Sequence, residues 1–307
     1  EVSETIEAPP RLVYNMVNDL KSWEVWSPMI NLDPDVVSTF SEVTAGEGAS
    51  WNWKGNEKVG EGTRKILSSV LGDSVKTQLE FYGWDALSYE VFSFTEKGKK
   101  TKVKWAFEGG ETAFPFRPFN ILKKGGFKKT LKQGLEKLRE VAEERASEKI
   151  YRGFKINEVD LDEKHYLMVR QEVDMANIQQ FYAQNLGALF MKAQGADMVM
   201  DGMPSGLYYK WDELAKKTDM AAGIPLSKPV NVEGATLETI PAGRAIQIDF
   251  YGDYKGIGKA HLALDDYMND YGLLNNVPVI EEYITDPGAE KDPSKWLTKV
   301  TYYISGN

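Results

Sequence analysis

Apolar side chains recur at helical spacing in one long stretch near the middle of the chain. This period predicts an amphipathic helix over residues 119–147, and its lysines, interleaved with acidic residues, indicate a solvated face. The charged stretch Glu143–Lys149 then predicts a domain boundary. The apolar residues that set the period are Phe127, Leu131, Leu135, Leu138 and Val141.

Short segments that alternate between apolar and polar residues precede this helix. Turn signals at residues 45–48, 60–62 and 97–99 separate them, a pattern typical of antiparallel strands. One long helix lying across a curved antiparallel sheet covers its apolar face and leaves a cavity between the two layers. We therefore predict a first α+β domain over residues 1–147, followed by a linker over 148–154.

Residues 155–307 predict a second α+β domain, in which a strand-helix-strand-strand unit occurs twice. Two helices would then back one antiparallel sheet, with a ligand cleft where the two copies meet. The first copy has a strand at 164–173, a helix at 176–196 and strands at 207–211 and 221–226. The second has strands within 235–252, a helix at 254–271 and strands at 279–285 and 297–304.

Composition supports two ordinary globular domains. The chain has 307 residues, of which 42% are hydrophobic and 27% charged, values close to globular averages. Apolar runs fall short of the roughly 18 to 20 residues that a membrane helix needs. We expect a soluble, cytoplasmic protein, with membrane tethering only through a segment preceding Glu1.

The net charge of −9 falls mostly in the second half. Such a surface repels phosphate backbones and anionic lipid, so nucleic acid is not an expected partner, and neutral or cationic ligands are favoured.

Few side chains could support metal, thiol or imidazole chemistry. Cysteine is absent from the sequence, which excludes disulfides and thiolate nucleophiles, and His165 and His261 are its two histidines. Neither histidine lies in a nucleophile-elbow or zinc-binding pattern. We expect both to be structural or solvent-facing, and we expect no metal and no cofactor.

The first domain carries five short motifs in a recognisable order. Together they resemble the polyketide-cyclase branch of the START-like (SRPBCC) helix-grip proteins, over about residues 1–147. The resemblance implies a helix-grip fold with a deep lipophilic cavity. The motifs are Trp23–Pro28, Ser50–Asn56, Gly60–Gly62, Thr101–Trp105 and Gly134–Leu138.

The second domain resembles the GyrI-like, or bacterial transcription-activator effector-binding, domain over about residues 155–304. That resemblance implies a duplicated SHS2-type fold that binds small, often lipophilic and cationic molecules. The segments that carry it are Met175–Ile178, Asp201–Asp212, Ala222–Pro225, Ile240–Ala245, Phe250–Tyr254, Pro278–Pro287 and Trp296–Val300.

Two departures from the family pattern affect function. A helix-turn-helix precedes the sensor in regulators of this kind, whereas this chain has the helix-grip-like domain there. Direct transcriptional control is therefore not expected. The last strand of the family usually carries Glu after Leu-Thr, and this chain has Lys299.

The candidate site of the second domain combines aromatic rings with one carboxylate. Alternation places Glu281 and Tyr283 on one face, and Lys299 and Tyr303 on one face of what could be the neighbouring strand. If both faces line the cleft, Glu281 and Lys299 form a partly buried pair; otherwise Lys299 reaches solvent along its stem. Strand geometry directs Tyr208 away from Tyr209. The candidate ligand-binding residues are Tyr208, Tyr209, Trp211, Phe250, Glu281, Tyr283, Lys299 and Tyr303.

The candidate ligand-binding residues of the first domain are tryptophans. Trp51, Trp53, Trp84 and Trp105 could line the grip cavity, and packing in the core explains each of them equally well. A catalytic role would need a carboxylate inside the cavity. Glu80 and Glu108 are the candidates by residue type, although glutamates on strands usually point to water.

Three functions are compatible with these features. The leading hypothesis is a protein that binds or senses a lipophilic or aromatic small molecule through two cavities, without a DNA-binding module. Its rival is a hydrolase that opens cyclopropane rings of aromatic natural products, as some GyrI-like proteins do, with Glu281 as the catalytic base. A structural or partner-binding role is the third.

Overall fold

A computed structural model describes residues 1–83, 87–108, 117–195 and 198–306. Trp84 and the side chains of Glu108 and Phe127 lie outside the described residues. The chain divides into two compact units, Glu1–Glu148 and Lys149–Asn307. Among the described helices, none is both long enough and apolar enough to cross a membrane.

The first unit is built on a seven-stranded antiparallel sheet with the strand order β1-β7-β6-β5-β4-β3-β2. Its strands are β1 (Val2–Ile6), β2 (Val37–Phe40), β3 (Ser50–Lys54), β4 (Glu61–Val70), β5 (Ser74–Phe81), β6 (Leu87–Lys97) and β7 (Lys100–Glu108). Its helices are α1 (Pro10–Asn18), α2 (Trp23–Trp26), α3 (Pro28–Leu32) and α4 (Arg117–Glu148).

Helix α4 confirms the predicted helix and continues through the charged stretch where the boundary was expected. Its buried positions follow the predicted period, with Leu131, Leu135 and Leu138 at most 4% exposed. At Gly134 the helix comes so close to its neighbours that a Cβ would lie 2.9 Å from the Trp105 ring and 3.0 Å from Pro28. The layers are therefore in direct contact at this point.

The second unit is built on an eight-stranded antiparallel sheet with the strand order β10-β15-β17-β16-β12-β13-β11-β14. A hairpin of β8 (Ile150–Tyr151) and β9 (Phe154–Lys155) precedes it. The sheet strands are β10 (Asn157–Leu161), β11 (Lys164–Asp174), β12 (Ser205–Asp212), β13 (Lys217–Leu226), β14 (Thr236–Ile240), β15 (Gly243–Tyr251), β16 (Leu274–Tyr283) and β17 (Leu297–Ser305). The helices are α5 (Ile178–Gly195) and α6 (Gly258–Tyr271).

Strand alternation divides this sheet into two buried faces. One face packs against the helices: Leu167 and Met220 lie in the core with α5, and Ile248 and Val300 in the core with α6. We call it the helix face. The opposite face has its own apolar cluster, formed around residues such as Tyr166, Leu207, Ile280 and Tyr303. The two helices and the strands of the two predicted copies lie where the sequence placed them.

The hairpin β8–β9 occupies most of the predicted linker span. Tyr151 is buried, and its hydroxyl donates to the Asp270 carboxylate at 2.9 Å. Phe154 packs 6.1 Å from Phe250, centroid to centroid. These contacts attach residues 150–155 to helix α6 and to the core of the second unit.

Candidate functional site

Glu281 is the centre of a polar cluster on the helix face of the second unit. Its side chain is 8% exposed. One carboxylate oxygen, Oε1, lies 2.8 Å from His261 Nε2. The other, Oε2, accepts the hydroxyls of Tyr283 at 2.9 Å and of Tyr208 at 3.3 Å. Three donors compensate this buried carboxylate, and no arginine or lysine of the described residues pairs with it.

A second layer of hydrogen bonds orients these donors. The Tyr182 hydroxyl, from α5, donates to the Tyr208 hydroxyl at 2.9 Å. The Tyr302 hydroxyl lies 3.0 Å from His261 Nδ1. Because a carboxylate can only accept, His261 carries a proton on Nε2, and in the neutral imidazole Nδ1 accepts from Tyr302.

Aromatic rings that are half-buried or exposed extend in a row from the two tyrosines that donate to Glu281. Tyr182 and Tyr254 each lie 5.5 Å from Tyr283, centroid to centroid. Trp296 lies 5.2 Å beyond Tyr254, and Trp211 lies 6.1 Å from Tyr208. We call the six rings the aromatic row. Tyr182, Tyr254 and Tyr283 meet edge to face, and two rings of the row, Tyr208 and Tyr283, donate their hydroxyls to Glu281. Their members are Trp211, Tyr208, Tyr182, Tyr283, Tyr254 and Trp296.

Gly206 provides the space for the tyrosine hydroxyls. It lies opposite Glu281 in the β12–β16 register. A Cβ at this position would fall deep inside the contact distance of the Tyr182 hydroxyl and 2.9 Å from that of Tyr283. Only a residue without a side chain allows the two hydroxyls to come this close to the strand.

Electrostatics keep the tyrosines in their donor form. Burial raises the pKa of Tyr182, Tyr208 and Tyr283, and the negative charge of Glu281 raises each of them further. An ionised phenol beside this carboxylate would be doubly unfavourable. The hydroxyls therefore remain protonated over the physiological pH range, so Tyr208 and Tyr283 can donate to Glu281, and Tyr182 to Tyr208.

Lys299 does not pair with Glu281, so the conditional ion pair predicted from the sequence is wrong. In the β16–β17 register Glu281 lies opposite Val300, and Lys299 lies opposite Glu282. Directly opposed residues share a face, so Lys299 belongs to the face opposite the helices. The lysine therefore does not neutralise the candidate site.

The remaining predicted residues of the second domain fall in three places. Trp211 joins Tyr208 in the aromatic row. Phe250 is 5% exposed within the α6 core. Tyr209 and Tyr303 belong to the opposite face, where the Tyr209 hydroxyl donates to Glu238 at 2.8 Å. The predicted separation of Tyr208 from Tyr209 is confirmed.

The tryptophans of the first unit pack against one another. Trp51 and Trp105 are at most 1% exposed. The Trp23 ring lies 6.4 Å from Trp51 and 6.1 Å from Trp105, and the Trp53 ring lies 5.7 Å from Trp51. The candidate carboxylate Glu80 is exposed, as glutamates on strands usually are.

Sequence reasoning left Tyr182, Gly206 and His261 out of the site. Helical periodicity shows that Tyr182 lies on α5, but it does not show which strand it meets. A glycine in a strand signals a close approach to another group. That signal could have identified Gly206. For His261 the sequence carries no comparable signal.

Metal chemistry gains no support from the described part of the chain. Within residues 1–83, 87–108, 117–195 and 198–306, no three His, Asp or Glu side chains are grouped closely enough to hold a metal ion.

A family model described as the GyrI-like small molecule binding domain matches residues 154–304. Residues 154–304 are a GyrI-like domain. The match confirms the resemblance stated for this half of the sequence, and it supports ligand binding or sensing by the second unit. No curated protein matches the chain.

Solved structures with low sequence identity also match the chain. The EcmrR C-terminal domain is 17% identical, with 50% of this chain and 99% of that chain covered, at a TM-score of 0.45. A hydrolase encoded by lin2189 from Listeria innocua is 16% identical, with 53% and 98% covered, at 0.38. SAV2435 bound to tetraphenylphosphonium is 13% identical, with 50% and 94% covered, at 0.38.

Proposed function

We propose that the GyrI-like domain binds a lipophilic or aromatic small molecule on the aromatic row, with Glu281 as its polar anchor. The observation that carries this proposal is a carboxylate with an 8% exposed side chain that accepts the hydroxyls of two partly exposed tyrosines of the row, Tyr208 and Tyr283. Rings supply stacking and apolar contact, and the carboxylate selects a molecule with a positive charge or a hydrogen-bond donor.

A delocalised organic cation suits this environment better than an anion. His261, within the described residues, is the one basic side chain paired with Glu281, and Lys299 belongs to the other face. A carboxylate in a partly desolvated site attracts a cation more strongly than one in water. A cation with its charge spread over aromatic rings also loses less hydration on entry than an ammonium ion.

Tetraphenylphosphonium and tetraphenylborate test the charge preference, because they have nearly the same shape and opposite charge. Titration calorimetry on the full chain should show binding of the cation and at least tenfold weaker binding of the anion. Glu281→Gln should weaken cation binding about tenfold or more, which corresponds to ~1.4 kcal/mol. Glu282→Gln, a neighbour on the other face, is the matched control. Equal affinities for the two ions would refute the proposal.

Hydrolysis is a second candidate, favoured by the 2.8 Å contact between His261 and Glu281. A carboxylate held by an imidazole can take a proton from a water whose oxygen bonds to a ring carbon. The C–C bond of the strained ring then breaks, its electron pair passes into the conjugated aromatic system of the substrate, and that system takes the proton from the carboxyl group. The substrate class would be a strained, cyclopropane-bearing aromatic compound. Turnover by the wild-type chain, followed by chromatography, should be lost in Glu281→Gln. Undiminished turnover in that variant would exclude Glu281 as the base.

We also propose that the first unit is a START-like (SRPBCC) helix-grip domain, and that the GyrI-like domain is a duplicated SHS2-type fold. The long helix α4 with its antiparallel sheet supports the former. The strand-helix-strand-strand order around α5 and α6 supports the latter. A cytoplasmic binding or sensing protein without a nucleic-acid partner is consistent with both, and with a net charge of −9.

A further inference from the structure

His261 contacts an oxygen atom on each side of its imidazole ring. Nε2 lies 2.8 Å from Glu281 Oε1, and Nδ1 lies 3.0 Å from the hydroxyl of Tyr302 on strand β17. The His261 side chain is 23% exposed, so protons from solvent reach the ring, whereas the Glu281 side chain is 8% exposed. Histidine is the side chain that ordinarily gains or loses its charge between about pH 5 and 8. The partner of Glu281 can therefore change its charge near neutral pH.

The hydrogen bonds of His261 suit both charge states of the ring. In the neutral imidazole, Nε2–H donates to Glu281 and Nδ1 accepts from Tyr302. In the imidazolium both nitrogens donate, and a hydroxyl oxygen accepts from Nδ1 once its own hydrogen turns away. Protonation therefore changes the charge beside Glu281 while both partners of the ring stay in place.

A second carboxylate acts on the imidazole from the same helix. Asp265 lies one turn after His261 on α6. Burial raises the pKa of Asp265, and the charge of His261 opposes that rise. Burial also raises the pKa of Tyr302, and the negative charges of Asp265 and Glu281 raise it further. Tyr302 is therefore uncharged near neutral pH, and two carboxylates interact with the charge of His261.

Other groups packed around α6 are neutral or have partners of their own. Arg152, from the hairpin β8–β9, lies 2.6 Å from Asp266. Strand β15 contributes the apolar ring of Phe250 to the core with α6. Tyr254 precedes the helix, and burial, together with nearby carboxylates, raises the pKa of its hydroxyl. Tyr254 is therefore neutral when His261 changes its charge.

We propose that His261 is a pH switch in the cation site: protonation of its imidazole neutralises Glu281 and releases a bound organic cation. This inference rests on the proposed function, because it requires a cation beside Glu281. The pair carries one negative charge when the imidazole is neutral and none when it is protonated, and a partly desolvated site responds strongly to such a change. Coupling between two sites is reciprocal, so a bound cation in turn drives a proton from His261 into solvent. The domain binds its cation at neutral and alkaline pH and releases it in acid.

Tetraphenylphosphonium and tetraphenylborate report the switch through the pH dependence of their affinities. Titration calorimetry on the full chain at pH 8.0 and 5.5 should show that the cation binds at least about fivefold more weakly in acid, because displacement of one proton changes affinity by up to about tenfold per pH unit. The anion should bind no more weakly in acid. Equal cation affinity at the two pH values, or an equal loss for the anion, would overturn the switch and leave the proposed function standing. No cation binding at pH 8.0 would overturn both.

His261→Gln keeps a neutral donor near the Nε2 position and removes the group that titrates. Whatever its affinity at pH 8.0, this variant should bind the cation equally well at pH 5.5. His165→Gln is the matched control, because His165 lies 3.6 Å from Glu163 and contacts the Thr239 hydroxyl. It should keep the pH dependence of the wild-type chain. A dependence that survives undiminished in His261→Gln, or that disappears in His165→Gln, would overturn the assignment to His261.

Proton counting on the wild-type chain gives a second measurement of the switch. Calorimetry at pH 6.5 in buffers with different ionisation enthalpies measures the protons released for each cation bound, and we expect a release of up to about one. The sequence has two histidines, so NMR can follow the C2 proton of each through its titration. The resonance that remains in His165→Gln is that of His261, and it should titrate at lower pH when the cation is bound. Release of no proton, or an unmoved titration, would refute the switch.

Discussion

His261 on helix α6 lies 2.8 Å from Glu281 on strand β16 and joins the helix to the strand through a buried carboxylate. The residues are twenty positions apart in sequence, and α6 ends between them. His261 holds one oxygen of the Glu281 carboxylate, and Tyr208 and Tyr283 hold the other. A ligand that binds Glu281 must therefore displace one of these donors or donate a further hydrogen bond beside them.

Replacing His261 should reveal how much this contact stabilises the fold. His261→Ala leaves Oε1 without a donor, and we expect the free energy of unfolding to fall by ~1–3 kcal/mol. In a Glu281→Gln background the same replacement should cost less, because the charge that the imidazole compensates is gone. Urea denaturation of the four proteins of the cycle measures the coupling. If the losses of the two single variants add up to the loss of the double variant, His261 and Glu281 contribute independently to stability.

Gly206→Ala should disturb the tyrosines without touching Glu281. The added methyl group collides with the Tyr182 hydroxyl and crowds that of Tyr283. Overpacking of this kind costs about 1–3 kcal/mol, and the displaced hydroxyls should also weaken ligand binding. Gly187→Ala on α5 is the control, since nothing lies within 4 Å of its Cβ position. That variant should gain up to about 1 kcal/mol. Similar stability changes in both variants would contradict the packing argument.

Arg64 and Glu90 form a buried ion pair in the first unit, with Arg64 Nε 3.0 Å from Glu90 Oε2. Removing one partner should lower the free energy of unfolding far more than removing both. Arg64→Met leaves Glu90 charged inside an aromatic core, which should cost about 3–5 kcal/mol. The double variant Arg64→Met, Glu90→Met should recover most of that loss. Guanidinium denaturation monitored by circular dichroism provides the comparison. If the double variant is as unstable as the single one, the packing around the pair matters more than its charge.

Alkaline pH should destabilise the second unit through its buried tyrosines. The folded-state pKa of Tyr182, Tyr208 and Tyr283 is raised, and an unfolded tyrosine ionises near pH 10, at about its reference value. Above that pH the folded state binds more protons, so the free energy of unfolding falls as pH rises, by up to ~1.4 kcal/mol per pH unit for each tyrosine. Below about pH 10 this contribution is fully present.

Tyr208→Phe tests that pH dependence. It should reduce the loss of stability between pH 10 and 11 by up to ~1.4 kcal/mol, because one of the tyrosines whose folded-state pKa is raised no longer titrates. Urea unfolding at both pH values provides the measurement. An unchanged slope would mean that Tyr208 does not contribute.

Much of the fold follows from residue periodicity. The apolar period after residue 119 predicts α4 to within two residues at its start, and the strands and helices of the GyrI-like domain are placed by alternation and turn residues. These are local properties of the chain. The hairpin β8–β9 lies in a span too short and too polar for the sequence pattern to predict strands there. Its Tyr151 is buried by contact with α6, which lies more than a hundred residues further along the chain.

The candidate site was less predictable than the fold. Alternation correctly placed Glu281 and Tyr283 on one face, because that relation lies within one strand. The pairing of Glu281 with Lys299 failed because it depends on the register between two strands, and a shift of one residue moves a side chain to the other face. His261 and Tyr182 reach the carboxylate from two helices, and sequence spacing does not encode which strands those helices cover.

The irregularity between Tyr208 and Lys210 in strand β12 has a chemical consequence. The extra residue puts Lys210 opposite Asp219 and Trp211 opposite Thr218, so Trp211 lies on the same face as Tyr208. A regular strand would have turned Lys210 toward that face and Trp211 away from it. The irregularity therefore places an indole, rather than an ammonium group, next to Tyr208 on the helix face. The proposed preference of this surface for a cation therefore depends on the irregularity in strand β12 as well as on the identity of its residues.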